Sequence, residues 1–257
     1  ASPGMTYTRF VFPVIKHGNT SQPAMFKIAC QGHSTTLSFP SVPSSMNLKA
    51  FLNANAQSQA TAVRNSQIKI DGDVGEWQGG SYNAITKPEN IASGRDQWQD
   101  PADTSALTRF AWDDQYLYIA THVYDDVLER NCEISKGYAS DCFEFFLGIS
   151  VKNHRQFFMA PATKSQQYNQ ADAWCKELKS DAGIQIQSKQ SQGGYDLEVA
   201  IPWHTVFEQF TPQAGEKLIM SFQICDVDTP GRPTETRMNW GSGNWQKPEL
   251  WGNLILQ

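Results

Sequence analysis

The sequence has little charge, no dense basic run and no long apolar stretch. Asp, Glu, Lys and Arg make up 18% of its 257 residues, the net charge is −5, and its lysines and arginines are scattered. A surface that tracks phosphates needs clustered cations, so nucleic acid is not an expected partner. No segment approaches the roughly 18–20 apolar residues of a membrane span, and residues 1–30 lack a basic-then-apolar leader pattern. A membrane span is therefore not expected. Abundant Gln, Asn, Ser and Thr suit the polar surface of a secreted or periplasmic protein. Catalytic signatures are missing as well: there is no GxSxG, HExxH, Walker-type glycine loop or GxGxxG after a strand, and the five histidines are dispersed. The five cysteines show no CxxC spacing, which argues against structural zinc. Cys132 and Cys142 flank one loop and could bridge it; the other reading is buried, unpaired thiols.

What is present is alternation. In 107–112 and 117–124 successive residues alternate around the turn Asp113-Asp114-Gln115, which predicts a β-hairpin. Tyr195, Leu197, Val199 and Ile201 form one face of a strand that follows the Gly193-Gly194 turn. Many strands of this kind, separated by turns and accompanied by little helix, predict an all-β fold, an antiparallel β-sandwich of jelly-roll or immunoglobulin-like type. Residues 1–65 read as an N-terminal extension or small subdomain, with a short helix expected within 46–63, and residues 66–257 as the sandwich. The length is ample for a substantial core.

Two features point to chemistry. Cys142, Glu144 and Phe146 alternate with Phe143, Phe145 and Leu147, which places a carboxylate in the middle of an aromatic strand. It serves either as a ligand-binding group or as half of an ion pair with Arg109 or Arg155. There are also eight Trp and eight Tyr. Trp77 and Trp112 fit the core, whereas Trp98, Trp174, Trp240 and Trp245 lie among Asn, Gln, Gly and Asp, as loop anchors or as platforms. A ring beside fixed amides and carboxylates suits a sugar, whose C–H face packs on the aromatic while its hydroxyls are hydrogen-bonded.

Six blocks then carry a resemblance: IDGDVGEW, FAWDDQYLYIATHVYDD, SDCFEFFLG, GGYDLEVAIPW, SFQICDVD and NWQKPELWGNLIL. In this order over residues 66–257 they resemble the family 9 carbohydrate-binding module. The resemblance implies a non-catalytic β-sandwich that binds plant-type polysaccharides or oligosaccharides, is often attached to xylanases and frequently holds calcium. Carried onto this chain, the family's aromatic clamp falls at Tyr138 and Trp245, its sugar-binding carboxylate at Glu144, and its neighbouring Arg or amide at Arg155 or Gln156. Strand alternation sends those last two side chains to opposite faces, so only one can join the site. Tyr138 stands where the family has Trp, which narrows the platform. Asp71 and Asp73, closely spaced in a turn, are the candidate calcium ligands.

Two other readings differ in kind. The same architecture could hold haem, with Met159, Met220, Met238, His122 or His154 as axial ligands. Carboxylate pairs at Asp125-Asp126, Asp141 with Glu144, and Asp226 with Asp228 could instead serve a glycoside-cleaving enzyme, if folded to the spacing that reaction needs.

Overall fold

The structure, a computed structural model, describes residues 24–30, 33–39, 59–77, 79–164, 167–241 and 245–257. The chain divides into two units, Ala1–Leu48 and Lys49–Gln257. In the first, β1 (Ala24–Cys30) and β2 (His33–Phe39) pair antiparallel.

The second unit carries β3 (Gln59–Arg64), β4 (Asn83–Ile85), β5 (Ile91–Ser93), β6 (Thr104–Trp112), β7 (Tyr116–Asp125), β8 (Cys142–Ser150) and β9 (Asn153–Ala160). It continues with β10 (Asp172–Cys175), β11 (Gln185–Ser191), β12 (Gly194–Pro202), β13 (Lys217–Asp226), β14 (Thr236–Asn239) and β15 (Gly252–Leu256). The hydrogen-bonded order is β10-β9-β8-β13-β15-β3-β6-β7-β12-β11, with β14 on β13, β5 on β14, and β4 on β6. Pairing is antiparallel except at β3, which lies parallel to both β15 and β6.

The sheet folds on itself into two packed layers. Phe110 on β6 meets Phe145 on β8 and Phe222 on β13, with ring centroids 5.7 and 6.1 Å apart. All three rings are buried, and burial of each contributes roughly 1.5–3 kcal/mol. Strand parity decides what enters this core. Tyr195, Leu197, Val199 and Ile201 are all fully buried in it, as their spacing predicts. The β6–β7 hairpin closes at Asp113, whose Oδ1 accepts the Gln115 and Tyr116 amides at 2.8 Å each.

Three expectations need correction or placing. Residues 59–64 are strand rather than the end of a helix; the rest of that expected helix, up to residue 58, lies outside the described residues. Ala/Asn-rich sequence suits a helix locally, but here the backbone gains ladder partners on both sides, a tertiary gain that outweighs propensity. Cys132 and Cys142 are not bridged: Cys132, Cys142, Cys175 and Cys225 are free thiols, and Cys132 Sγ donates to the Lys136 carbonyl at 2.9 Å. Trp240 is fully buried and stacks on Phe222, and Trp98 packs against the core while donating to the Thr104 carbonyl, so both are anchors rather than platforms. Among the described residues, no helix is long and apolar enough to cross a membrane.

Candidate functional site

The layer β10-β9-β8-β13-β14 turns one set of alternating side chains into the core and the other set away from it. Phe143, Phe145 and Leu147 of β8, Phe157 and Met159 of β9, and Phe222 and Ile224 of β13 are the inner set. Register then aligns the outer set in rows. Trp174 faces Phe158, Phe158 faces Glu144, Glu144 faces Gln223 and Gln223 faces Asn239. One row along, Cys142 faces Cys225, which faces Arg237. Gln156 faces Phe146, which faces Ser221.

Glu144 is 1% exposed. Its Oε2 accepts from Gln156 Nε2 at 3.1 Å, and its Oε1 accepts from the Cys225 thiol at 3.3 Å. Burial pushes its pKa above the ordinary glutamate value, and donation by Cys225, Gln156 and Gln223 together with the positive charge of Arg237 works against that rise. It pairs with neither expected arginine. Arg109 donates to the Trp77 carbonyl at 2.7 Å and lies 3.7 Å over the Tyr82 ring. Arg155 projects to the other face, over Phe207, and donates to Asn153 Oδ1 at 3.0 Å. Of the two candidates on β9, the fold thus brings Gln156 to Glu144 and takes Arg155 away.

Beside Gln156 opens a cleft of about 420 Å³ lined by Phe146, His154, Gln156, Lys176, Trp245 and Trp251, among others. Trp245 is 46% exposed and presents its ring to this cleft. Phe146 and Trp251 pack together with centroids 5.4 Å apart. Lys176 Nζ lies 4.3 Å over the Trp245 ring and donates to Gln156 Oε1 at 2.9 Å. Tyr138, 44% exposed, does not line this cleft; its ring sits 5.8 Å from that of Phe158, the register neighbour of Glu144. Its carbonyl accepts from Thr234 Oγ1 and Arg237. Glu144, Gln156 and Trp245 are therefore one connected group, and Tyr138 stands on the far side of Glu144 through Phe158.

Sequence reasoning missed Gln223, Arg237 and Lys176. For Gln223 the signal was available: it lies between Phe222 and Ile224, the same polar-in-apolar parity that exposed Glu144.

The acidic residues separate into different jobs. Asp71 Oδ1 accepts the Asp73 amide at 3.1 Å and Asp73 Oδ1 accepts the Gly75 amide at 3.0 Å, so both carboxylates hold a turn. Neither belongs to the metal-sized groups found among the described residues. Those groups are Asp125, Asp141 and Asp226, and Asp103, Asp226 and Asp228, each with ligand oxygens within 4.8 Å of one another. They gather where β7 and β13 end and where β6 and β8 begin. Burial, reinforced by mutual repulsion, pushes Asp125 up to about 7 and Asp226 to about 9, and raises Asp141 as well. Asp226 Oδ1, Asp103 Oδ1, Asp228 Oδ1 and the fully buried Tyr195 hydroxyl have no hydrogen-bond partner there. Buried oxygens left without donors fit a hard divalent cation.

The haem-ligand candidates are occupied otherwise. Met159, Met220 and Met238 are sealed in the core, His122 Nδ1 lies 2.6 Å from Asp196 Oδ1, and His154 Nδ1 pairs with the Val151 carbonyl at 2.8 Å.

The chain is similar to known proteins in sequence and in fold. The chain is 27% identical over 202 residues to Exoglucanase XynX of Acetivibrio thermocellus, covering 77% of this chain and 17% of that protein. It is also 27% identical over 155 residues to Endo-1,4-beta-xylanase A of Thermoanaerobacterium saccharolyticum, covering 59% of this chain and 13% of the other. The match thus spans less than a fifth of either curated relative. Among solved structures, a family 9 carbohydrate-binding module from Caldicellulosiruptor kristjanssonii in complex with cellotriose superposes with a TM-score of 0.58 at 21% identity, over 77% of this chain and 93% of that one. The same organism's family 9 module in complex with glucose gives 0.58 at 23% identity, over 77% and 95%; at these identities the likeness speaks for the fold. The family model "Carbohydrate family 9 binding domain-like" matches residues 70–257, and the chain belongs to that family of non-catalytic carbohydrate-binding modules.

Proposed function

We propose that the cleft at Trp245 is where this module holds its sugar, with the Trp245 ring as the stacking platform and Gln156, backed by Glu144, reading the hydroxyls. The observation that carries the reading is the exposed indole set beside a buried amide–carboxylate pair. An aromatic face takes the apolar side of a pyranose, and charge-assisted bonds to hydroxyls are roughly twice as strong as neutral ones. Gln223 and Arg237 extend the polar row on the same face, and Tyr138 would meet only a ligand long enough to pass Phe158. Relatives named for xylan and glucan hydrolysis, and related modules solved with cellotriose and glucose, support a plant-type β-linked glycan as ligand. A glycan of that kind is met outside the cell, which supports a secreted module.

Isothermal titration with cello- and xylo-oligosaccharides tests the reading. Heat is expected with at least one series, and Trp245→Ala should weaken binding by at least about 2 kcal/mol, as loss of a central aromatic anchor does. Arg155→Ala, on the other face, should leave affinity unchanged. Equal affinity for wild type and Trp245→Ala would move the site elsewhere.

Calcium belongs to the same proposal, at the strand-end cluster rather than at Asp71 and Asp73. Asp125, Asp141 and Asp226 would hold it, with Asp103 and Asp228 beside Asp226. A bound divalent cation would neutralise carboxylates that otherwise repel one another across a buried space.

A further inference from the structure

Lys176 connects groups that come from separate parts of the chain. Its backbone N–H donates to the Gln156 carbonyl at 2.9 Å, its ammonium donates to Gln156 Oε1 at 2.9 Å, and the same ammonium lies 4.3 Å over the Trp245 ring. Glu177, next in the chain, accepts the Gln156 backbone N–H at 2.8 Å. Gln156 is thereby clamped by both its backbone groups and both ends of its amide. The amide orientation follows from charge: Oε1 faces an ammonium and Nε2 faces a carboxylate, and turning it over would set oxygen against Glu144 and NH₂ against Lys176. Attraction of a cation to an indole face holds Trp245 over the cleft at the same time. Lys176 is an exposed residue, so its charge contributes little to folding.

We infer that Lys176 is a positioning residue for the sugar cleft, fixing the orientation of the Gln156 amide and the seat of Trp245 together. The inference rests on the cleft being the sugar site. It also deepens that reading, because a residue absent from the predicted site would set how tightly the platform and the hydroxyl reader act as one.

The test compares wild type, Lys176→Met and Lys176→Arg with cellotriose by isothermal titration, alongside thermal melting and tryptophan emission without ligand. Lys176→Met keeps the stem and loses the charge, and should bind about tenfold more weakly, the effect of losing one charge-assisted hydrogen bond. Its melting temperature should stay at the wild-type value while its tryptophan emission changes. Lys176→Arg keeps a cation over the ring and should recover affinity to within about threefold of wild type. Wild-type binding matched by Lys176→Met overturns the positioning role and leaves the sugar site standing. A melting temperature that falls in parallel with affinity overturns it in favour of a structural role. Absence of binding by wild type itself, with unchanged emission in Lys176→Met, removes the sugar reading and this inference together.

Discussion

At the scale of the residue, Glu144 shows what a buried charge demands. A carboxylate withdrawn from water costs several kcal/mol unless donors replace its solvent. Gln156 and Cys225 supply hydrogen bonds, and the charge of Arg237 favours the ionised form. Burial still wins in sign, because the pKa lies above the ordinary glutamate value. For an acid, a raised folded pKa means that stability contributed by the neutral form is lost as pH rises past the unfolded value. The ionised form, which is the stronger acceptor for the Gln156 amide that faces the cleft, gains population as pH rises. Sugar affinity of the wild type should therefore climb as pH rises past the ordinary glutamate value of about 4.3. Glu144→Gln, a permanent neutral amide, should bind roughly 10–100-fold more weakly at neutral pH and show a flat profile. Titration calorimetry from acidic to neutral pH decides it: a flat wild-type profile would show that the charge of Glu144 does not support the Gln156 amide in binding. Parity made this residue visible in the sequence, because a glutamate between Phe143 and Phe145 breaks the aromatic run. Parity also set Arg155 and Gln156 on opposite faces, but only the register with β8 shows which of them meets Glu144. Lys176 gave no such signal, for it lies just past the short β10, among exposed residues where a lysine is unremarkable.

At the scale of the element, strand order gathers what sequence disperses. Asp71 and Asp73 suggest a calcium loop because their spacing is local and readable; one oxygen of each accepts an amide two residues on, and neither belongs to the metal-sized groups among the described residues. The strand-end groups draw Asp125 from β7, Asp141 from the lead-in to β8 and Asp226 from β13, with Asp103 and Asp228 beside Asp226; the oxygens without a hydrogen-bond partner are those of Asp103, Asp226 and Asp228, and no local motif spans those separations. Asp141 also accepts the Glu129 and Val227 amides, the latter at 2.7 Å, which ties the loop before β8 to the end of β13. The strands that carry Glu144 and Gln223 are thus anchored at the acidic end. Calcium that binds the folded cluster alone stabilises by mass action, about 2.7 kcal/mol at a hundredfold excess over its dissociation constant. For a domain of this size that corresponds to a rise in Tm of roughly 5–10 °C. Melting the chelator-treated protein with and without added calcium should show the rise, and Asp226→Asn, which touches both acidic groups, should abolish it. An unchanged Tm on calcium addition to the metal-stripped wild type would leave the cluster without a cation.

At the scale of the whole molecule, the sandwich character and its main hairpins were legible, while the strand that completes the sheet was not. β6, β7, β8 and β12 are buried along nearly their whole length, and alternation sorts their side chains, one parity entering the main core and the other lying under further covering groups, as Ala111, Tyr118, Ala120 and Ala200 lie with Trp77. β3 has only Ala60 and Ala62 as buried apolar groups, too small and too few to mark a strand in a sequence rich in helix-forming alanine. Its place is set by backbone pairing, with four register partners on β15 and three on β6. A chain begun at residue 66 would leave the facing edges of β15 and β6 without that strand. At about 1 kcal/mol for each lost hydrogen bond, the deficit is several kcal/mol, a large part of the 5–15 kcal/mol that ordinarily holds a domain together. A chain of residues 49–257, by contrast, keeps every residue of the described core, which runs from Ala60 to Leu256. The 49–257 chain should therefore melt cooperatively and bind the same oligosaccharides as the full chain, whereas the 66–257 chain should melt at least 10 °C lower, by about 2–4 °C per kcal/mol, or fail to fold. Calorimetry on the two truncations separates them, and equal stability would show that β3 is an accessory to the sandwich instead of the strand that joins its two layers.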